Sequence, residues 1–558
     1  LTLLPTTAFA EESTETPPVC SCETACTAES RNAECPVCGA EGASAENCAK
    51  YIKPADDAAV QPEGEVSDPQ PEVALTALIG GSETVTDVST AEELTAAIAD
   101  VNFDLNGHVL KYGSANNGSV IVVEGSGNLT LTDSNTTAVH KFTPDTNGLW
   151  ALDEASGTET VTGGVITGGT GYPFPLSITV NCGGGVYIAP GGQLTMTGGN
   201  IIGCSAEFGG GICIESERDG KQGQFSMSGG NIIGCSAECG GGVYVDSESN
   251  QSPFSMSGGS IIGCVASDIG GGVRASGTFK MSGQAVIRSC TVESATQSIY
   301  GGGIYVNSSS SFEMSGEAKI EYCQAISNSS KSSNGGGVYL TNNTKFTLSG
   351  NAVIQNCKAD NSVTPGETYG GGVSADCMRQ ITLEGNAQIF QCTAANGSGL
   401  YITGSLLYPN DWGKLYANGG SVNGDVVLGD KDKSDGPCTI TGTGETVFKG
   451  KVTVTPDSTI EKDTFNGEVI NNGTITGGVF NSTVSGSGTI TLDSSEAWKP
   501  IGYASKYDET KAYSGTFDGQ GHTISGLNAN AVVSGLFGYA KNTAIKNLTV
   551  AGSVGGGS

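Results

Sequence analysis

The sequence is poor in basic and aromatic residues and in long apolar runs. Of its 558 residues, 6% are aromatic and 15% are charged, and 26 Lys and Arg stand against 57 Asp and Glu. The formal net charge of -31 argues against nucleic acid and anionic lipid as partners, because both require a basic surface. No apolar run approaches the roughly 20 residues of a membrane span, so we expect no membrane insertion.

Glycine, serine, threonine and asparagine take the place of the residues that are typical of helical proteins. The chain contains 86 glycines, about twice the usual share. This composition excludes a helix bundle and predicts an acidic, turn-rich, all-β protein. The length allows several domains or one long repeat array.

Both ends of the chain are typical of a fragment of a larger secreted protein. Residues 1–10, LTLLPTTAFA, end in A-F-A, which is typical of the end of a secretory signal peptide. We therefore expect a signal-peptide remnant over residues 1–10 and a mature start at Glu11. The sequence predicts a secreted or cell-surface location, with attachment to a cell wall through a segment beyond Ser558.

A cysteine-rich module is predicted over residues 11–50, followed by a linker over residues 51–85. The C-P-V-C spacing in the module is typical of a zinc knuckle, whereas six cysteines in a secreted module equally favour three disulfides. Structural zinc and disulfides remain equal alternatives, and no other cofactor is expected. The six cysteines are Cys20, Cys22, Cys26, Cys35, Cys38 and Cys48.

The strongest signal is an internal repeat over residues 161–425. Three glycines followed by a β-branched residue recur at intervals of 26 to 35 residues, and a degenerate eighth copy begins at Gly399. Each repeat then contains F-x-M-S-G and a segment that ends in I-x-x-C. The triplets begin at Gly183, Gly209, Gly240, Gly270, Gly301, Gly335 and Gly370.

Three short alternating segments in each repeat predict three strands, and stacked repeats predict a parallel β-helix. Five of the six methionines fall in one repeat position, and phenylalanine dominates the position two residues earlier, so both columns should face inward. A right-handed coil follows from the general rule for parallel crossovers. The recurring cysteine predicts an inward column of small side chains. The Ser- and Asn-rich insertions between each cysteine and the next glycine triplet predict loops on one edge.

The flanking segments continue the β pattern. Residues 86–160 are interpreted as an N-terminal cap with the first coils, including one helix over residues 88–99. Residues 426–495, with Phe448, Phe465 and Phe480 at spacings of 17 and 15, predict smaller coils.

The GGG-[VI]-Y and I-x-x-C-x-A repeats resemble those of bacterial surface β-helices, including polymorphic outer-membrane proteins, autotransporter-type adhesins and the pectin-lyase-like superfamily. Cysteine stands where those families often have asparagine. The stretches WKPIG, GTFDGQGHTISGL and GLFG within residues 496–558 are similar to a GLUG repeat that ends early. The segments DLNGHVL and NLTLTDS resemble secreted proteins of Gram-positive anaerobes. These resemblances imply a monomeric, secreted bacterial surface protein.

The residue two after each glycine triplet is tyrosine in five of eight repeats, which predicts an outward aromatic column that could stack on sugar rings. Strand packing alone is the alternative reading of this column. The leading functional hypothesis is a non-enzymatic adhesin that binds a glycan or host surface. The alternatives are a polysaccharide lyase or glycosidase and a passive stalk. The candidate ligand-binding residues are Tyr187, Tyr244, Arg274, Tyr305, Tyr339 and Tyr401.

Overall fold

In the computed structural model, the described residues form short strands joined by turns and contain no helix. Glu72–Ser558 is one compact unit. The predictions for the cysteine-rich module and for residues 1–74 lie outside the described residues. The described ranges are 75–79, 85–88, 100–113, 116–125, 127–173, 180–217, 220–247, 253–407, 413–429, 436–491, 513–518, 523–529, 536–537 and 539–554.

A 13-stranded, wholly parallel sheet, called face 1, begins each coil. Its strands follow the glycine triplets and pair in register, so that Val186 lies beside Ile212 and Ile212 beside Val243. Its strands are Ile121–Val123, Val186–Ile188, Ile212–Ile214, Val243–Val245, Val273–Ala275, Ile304–Val306, Val338–Leu340, Val373–Ala375, Leu400–Ile402, Val426–Leu428, Val452–Val454, Val469–Asn471 and Val484–Ser485.

Face 2 is the first of two rows within a 29-stranded sheet. The first strand of this row pairs antiparallel with the second and the third, and the remaining pairings are parallel. The face 2 strands are Leu75–Ile79, Val85–Val88, Asp100–Asp104, Asn128–Thr132, Gln193–Met196, Gln224–Met227, Phe254–Met256, Thr278–Met281, Ser311–Met314, Lys345–Leu348, Thr439–Thr441, Thr459–Ile460, Thr474–Ile475, Thr489–Thr491, Thr523–Ala529 and Thr549–Val554.

Face 3 is the second row, and the long strands Gln380–Phe390 and Lys414–Val422 belong to both rows. A chain that is all-β with such large parallel sheets is compatible with the predicted parallel β-helix. The remaining strands of face 3 are Val109–Lys111, Val165–Thr167, Asn200–Ile202, Asn231–Ile233, Ser260–Ile262, Val286–Arg288, Lys319–Glu321, Val353–Gln355, Val447–Phe448, Thr464–Phe465 and Val479–Phe480.

The core consists of columns of identical side chains, because in-register parallel pairing places the same repeat position on successive strands. Phe254 stacks on Phe279 with ring centroids 4.5 Å apart and planes 7° apart. The methionine column is fully buried two residues further on, as predicted. The cysteine column also faces inward and is buried, which confirms that prediction. Its members are the thiols of Cys204, Cys235, Cys264, Cys290, Cys323, Cys357 and Cys392.

The insertions are strands rather than the predicted loops, so that prediction was wrong. They form an eight-stranded parallel sheet, called here the side sheet, because Ala266, Val292 and Ala325 align into a small apolar cluster. Its strands are Ser236–Cys239, Val265–Ile269, Thr291–Ser294, Ile299–Tyr300, Gln324–Ser327, Ser333–Asn334, Lys358–Asn361 and Thr368–Tyr369.

The glycine triplets form the neck through which the chain returns from the side sheet to face 1. The first glycine has positive φ, for example 71° at Gly301. A Cβ on the second, Gly302, would lie 2.3–2.4 Å from backbone atoms of Gln324 and Gly336. A Cβ on the third, Gly303, would lie 3.2 Å from the Sγ of Cys323. Only glycine allows the backbones of two coils to approach this closely.

Smaller elements flank the stack of coils. The helix predicted over residues 88–99 falls outside the described residues except for Val88, which ends a strand. No described residue belongs to a helix that is long and apolar enough to cross a membrane. The remaining strands are Val139–Pro144, Trp150–Leu152 and Glu159–Thr162 in one antiparallel sheet, Tyr172–Pro173 and Asn181–Cys182 in another, and the parallel pair Tyr513–Asp518 and Ala540–Lys546.

Candidate functional site

The predicted ligand-binding residues form one column on face 1. In each V-Y-V strand the flanking aliphatic residues point into the core, so the middle residue points to the other side of the sheet. Register pairing joins these middle residues without a break. This outer column is Tyr187, Cys213, Tyr244, Arg274, Tyr305, Tyr339, Ser374 and Tyr401.

The outer column is covered by a second column, which we call the return column. It consists of the residue immediately before each glycine triplet and, in the eighth repeat, of Asn396, which precedes the sequence Gly-Ser-Gly. These residues also pair in register from coil to coil. The return column is Cys182, Phe208, Cys239, Ile269, Tyr300, Asn334, Tyr369 and Asn396.

Aromatic rings of the two columns contact each other with an offset of one coil. Phe208 stacks on Tyr244 with centroids 4.8 Å apart, and the ring of Tyr300 packs on that of Tyr339 at 4.6 Å. Tyr187 and Tyr339 are buried, with only 4% and 6% of their surface exposed to solvent. Tyr244, Tyr305 and Tyr401 are half-buried, so the predicted outward column is only partly accessible to solvent.

The polar ends of the outer column point toward carboxylates at the end of face 1. The Tyr339 hydroxyl donates a hydrogen bond to Asp376 at 2.6 Å, and Tyr187 donates to Glu215 in the same way. In each case the carboxylate lies one coil further along. Each carboxylate compensates a buried phenol that would otherwise lack a partner.

Arg274 is the one cation in the outer column. Its guanidinium lies 4.6 Å from the ring centroid of Tyr244. It donates a hydrogen bond to the carbonyl of Val245 at 2.8 Å and lies 3.9 Å from a carboxylate oxygen of Asp246. A cation over an aromatic face and beside a carboxylate is held in place by both.

Two neighbouring carboxylates at this edge differ in their environments. Burial, together with the negative charges of Asp246 and Glu217, raises the pKa of Glu215 to about 7. Asp246 instead faces the guanidinium of Arg274. Glu215 is therefore a carboxyl group that holds a proton near neutral pH, beside a carboxylate that faces a cation.

A cavity of about 180 Å³ opens where the side sheet ends. The rings of Tyr369 and Tyr401 form one wall, with centroids 4.8 Å apart and planes at 59°. Asp425 and Lys451, whose charged atoms are 3.8 Å apart, form a polar rim. The other lining residues are Ala395, Asn396, Gly397, Val427, Thr453 and Thr455.

Of the predicted site residues, only Tyr401 lines this cavity. Tyr187, Tyr244, Arg274, Tyr305 and Tyr339 lie in the same column but do not line the cavity. The sequence analysis missed Tyr369, Asp425 and Lys451. An aromatic residue directly before a glycine triplet was the available signal for Tyr369.

The predicted metal site in the cysteine-rich module lies outside the described residues. Among the residues that are described, no group of three or more His, Cys, Asp or Glu side chains is placed to hold a metal ion. The inward thiol column instead hydrogen-bonds to backbone carbonyls, as Cys290 does to Ile261 at 3.7 Å.

Comparison with known proteins does not assign the chain to a family. No protein-family profile matches it, and neither a curated protein nor a solved structure gives a match.

Proposed function

We propose that the protein is a non-enzymatic, secreted or cell-surface β-helix protein that binds a glycan in the cavity beside Tyr369 and Tyr401. The observation that carries the proposal is the meeting of two tyrosine rings with a charged pair in one cavity. Aromatic rings supply an apolar surface to the faces of a sugar ring, and their hydroxyl groups supply polar contacts.

The dimensions of the cavity favour a small polar group. Its volume of about 180 Å³ is below the ~300–1,000 Å³ typical of pockets for drug-sized ligands. A single sugar unit of a longer chain is a ligand of this kind. Asp425 accepts a hydrogen bond from the backbone N–H of Lys451 at 2.9 Å, which orients its carboxylate within the rim.

The test is a titration of the chain against a panel of oligosaccharides, followed by calorimetry with the best ligand. We expect Tyr401→Ala to weaken binding at least about tenfold, because removal of one anchoring aromatic residue costs more than about 1.4 kcal/mol. Tyr416→Ala is the matched control, since Tyr416 is a half-buried tyrosine on face 2. Equal losses for both variants would contradict a site at the cavity.

A second candidate function is glycan hydrolysis at Glu215 and Asp246. The observation that favours it is the different surroundings of the two carboxyl groups, because an acid and an ionised partner side by side are what glycosidases use. Mass spectrometry of glycans incubated with the chain tests it. Shortened products that disappear with Glu215→Gln would support the enzyme and oppose the adhesin, while intact glycans without binding would favour a stalk.

The right-handed coil, the relationship to pectin-lyase-like and GLUG proteins, and attachment to a bacterial wall remain part of this proposal. Its support is the pattern of the repeats together with the large parallel sheets. The net charge of -31 favours a glycan or protein surface over nucleic acid as the partner.

A further inference from the structure

The return column and the outer column match each other residue by residue. The residue before one glycine triplet faces the outer residue of the next coil, as the pairs Phe208 with Tyr244 and Tyr300 with Tyr339 demonstrate. The pair Tyr369 and Tyr401 obeys the same offset. The two columns therefore form a row of matched pairs between the side sheet and face 1.

One position in this row pairs two cysteines instead of two aromatic rings. Cys182 precedes its glycine triplet and Cys213 is the outer residue of the next coil, which is the same offset as in the aromatic pairs. Both are 2–4% exposed and belong to one apolar cluster with Tyr187 and Val122. Contact with the Cys182 side chain and burial hold the pKa of the Cys213 thiol well above its usual value, and neighbouring thiols of the inward column, such as Cys204 and Cys235, contact each other in the same way.

We propose that Cys182 and Cys213 form a disulfide that ties the strand Asn181–Cys182, just before the first glycine triplet, to face 1. The outer column contains no cysteine besides Cys213, and the return column contains only Cys182 and Cys239. Cys182 and Cys213 are the one pair of cysteines related by the offset of one coil. The proposal concerns a covalent modification and does not depend on glycan binding.

The reaction is thiol–disulfide exchange with an incoming disulfide, such as oxidised glutathione. The thiolate of one cysteine attacks the incoming disulfide and releases one thiol, and the other thiolate then displaces the second. The incoming disulfide gains two electrons, and the two protons leave with the released thiols. Because both cysteines are buried after folding, the exchange takes place while the coils assemble.

The inward cysteine column is expected to remain reduced under the same conditions. Its members lie two residues after the ends of face 3 strands, at equivalent positions of successive coils, which are about 4.8 Å apart. A disulfide requires Cβ atoms about 3.8 Å apart, so bridging would shift the backbone of the core. Cys235 and Cys264 also hydrogen-bond to carbonyls of their own and preceding coils. Cys182 and Cys213 lie in different sheets and are free of this constraint.

The experiment is peptide mapping of the full chain after folding in a mixture of oxidised and reduced glutathione. Alkylation in denaturant marks every remaining thiol. Cleavage after Glu207 and Glu215 places Cys213 in an eight-residue peptide, and cleavage after Tyr187 separates Cys182 from Cys204. We expect the peptides of Cys182 and Cys213 to be linked, with Cys204 and Cys235 alkylated.

A thermal melt provides the second measurement. We expect reductant to lower the Tm of the folded chain and to leave the Tm of the variant with Cys182→Ala and Cys213→Ala unchanged. Recovery of Cys213 only as an alkylated thiol, or linked to Cys239 instead, would overturn the proposal. If reductant shifted the Tm of the variant equally, the stabilising disulfide would have to lie elsewhere in the chain.

Discussion

The coils between Gly183 and Gly399, called here the wide coils, differ from the narrow coils over residues 452–491 in length and in what they carry. Wide coils repeat every 26 to 35 residues, and face 1 of the narrow coils repeats after 17 and 15 residues, at Val452, Val469 and Val484. Wide coils carry the glycine neck, the side sheet and the thiol column. The narrow coils contain no cysteine.

Both kinds of coil bury a column of phenylalanine and a column of isoleucine, but the two columns lie on opposite faces in the two regions. In the wide coils the ring stack lies on face 2, as at Phe279, while face 3 contributes isoleucine, as at Ile287. In the narrow coils face 2 contributes Ile460 and face 3 contributes Phe465. The two columns change places gradually through the long strands that span both faces. The comparison teaches that a ring stack can fill the core from either face, and that the methionine column, the thiol column and the side sheet are additions of the wide coils.

The largest expected effect is at the glycine neck, which only the wide coils need. Gly302→Ala would place a Cβ against backbone atoms that cannot move without separating two coils. We expect a loss of about 4 kcal/mol or more, or failure to fold, measured by urea denaturation. Gly366→Ala is the control, because nothing lies within 4 Å of its Cβ. A small effect at Gly302 would show that the neck is not closely packed.

Because both regions contain a stack of buried rings, we expect removal of one ring to lower the free energy of unfolding equally in each. Phe279→Ala and Phe465→Ala each remove a fully buried ring that is stacked on both sides, so each should lower the free energy of unfolding by about 3–4 kcal/mol. Denaturant titration of the two variants measures this. A much smaller loss for Phe465 would contradict the idea that both regions share one kind of core.

A smaller effect is expected at Asp463, an acid buried in the narrow coils. Burial raises its pKa to about 7, although the N–H of Thr446 donates to one carboxylate oxygen; the other oxygen has no partner. The folded state keeps this proton where the unfolded state has lost it, so stability should fall as pH rises from about 4 to 7 and then level off. Asp463→Asn should remove this slope and stabilise the chain by about 2 kcal/mol at pH 8, since the unpaired amide offsets part of the gain.

Unfolding curves between pH 4 and 8 test this prediction against Asp457→Asn, which changes an exposed acid in the same coil. An unchanged slope in the Asp463 variant would assign the pH dependence to other carboxyl groups.

The smallest effect is expected in the thiol column that distinguishes the wide coils. Cys290→Ala removes one buried sulfur atom and leaves a small void, which should cost about 1 kcal/mol. Chemical denaturation is the measurement, and Ser289→Ala, one residue earlier on an exposed position, serves as the control. A gain in stability would show that the thiols are overpacked.

The inward columns could be predicted from the sequence because strict repetition of Phe and Met at one position leaves few other arrangements. The side sheet could not, since its strands are short and rich in Ser and Asn. Only the alignment of Ala266, Val292 and Ala325 across coils reveals their shared burial. The same limit explains the tyrosine column, where alternation correctly placed Tyr339 on the outer side of face 1 but could not show that Tyr300 covers it.

The candidate cavity could not be predicted from the sequence for a related reason. Tyr401 was identified from its repeat position, but Asp425 and Lys451 precede face 1 strands that carry no glycine triplet. The glycine motif therefore gave no indication that they lie beside it.

The offset of one coil between the two columns gives the stack a direction. Each return residue covers the outer residue of the next coil. The last such pair, Tyr369 and Tyr401, therefore lies where the side sheet ends, whatever the local sequence. Insertion of one additional wide coil by duplication would move the cavity about 4.8 Å along the axis and preserve its walls. Chain length could thus vary through such duplications while the cavity at the end of the side sheet kept its walls.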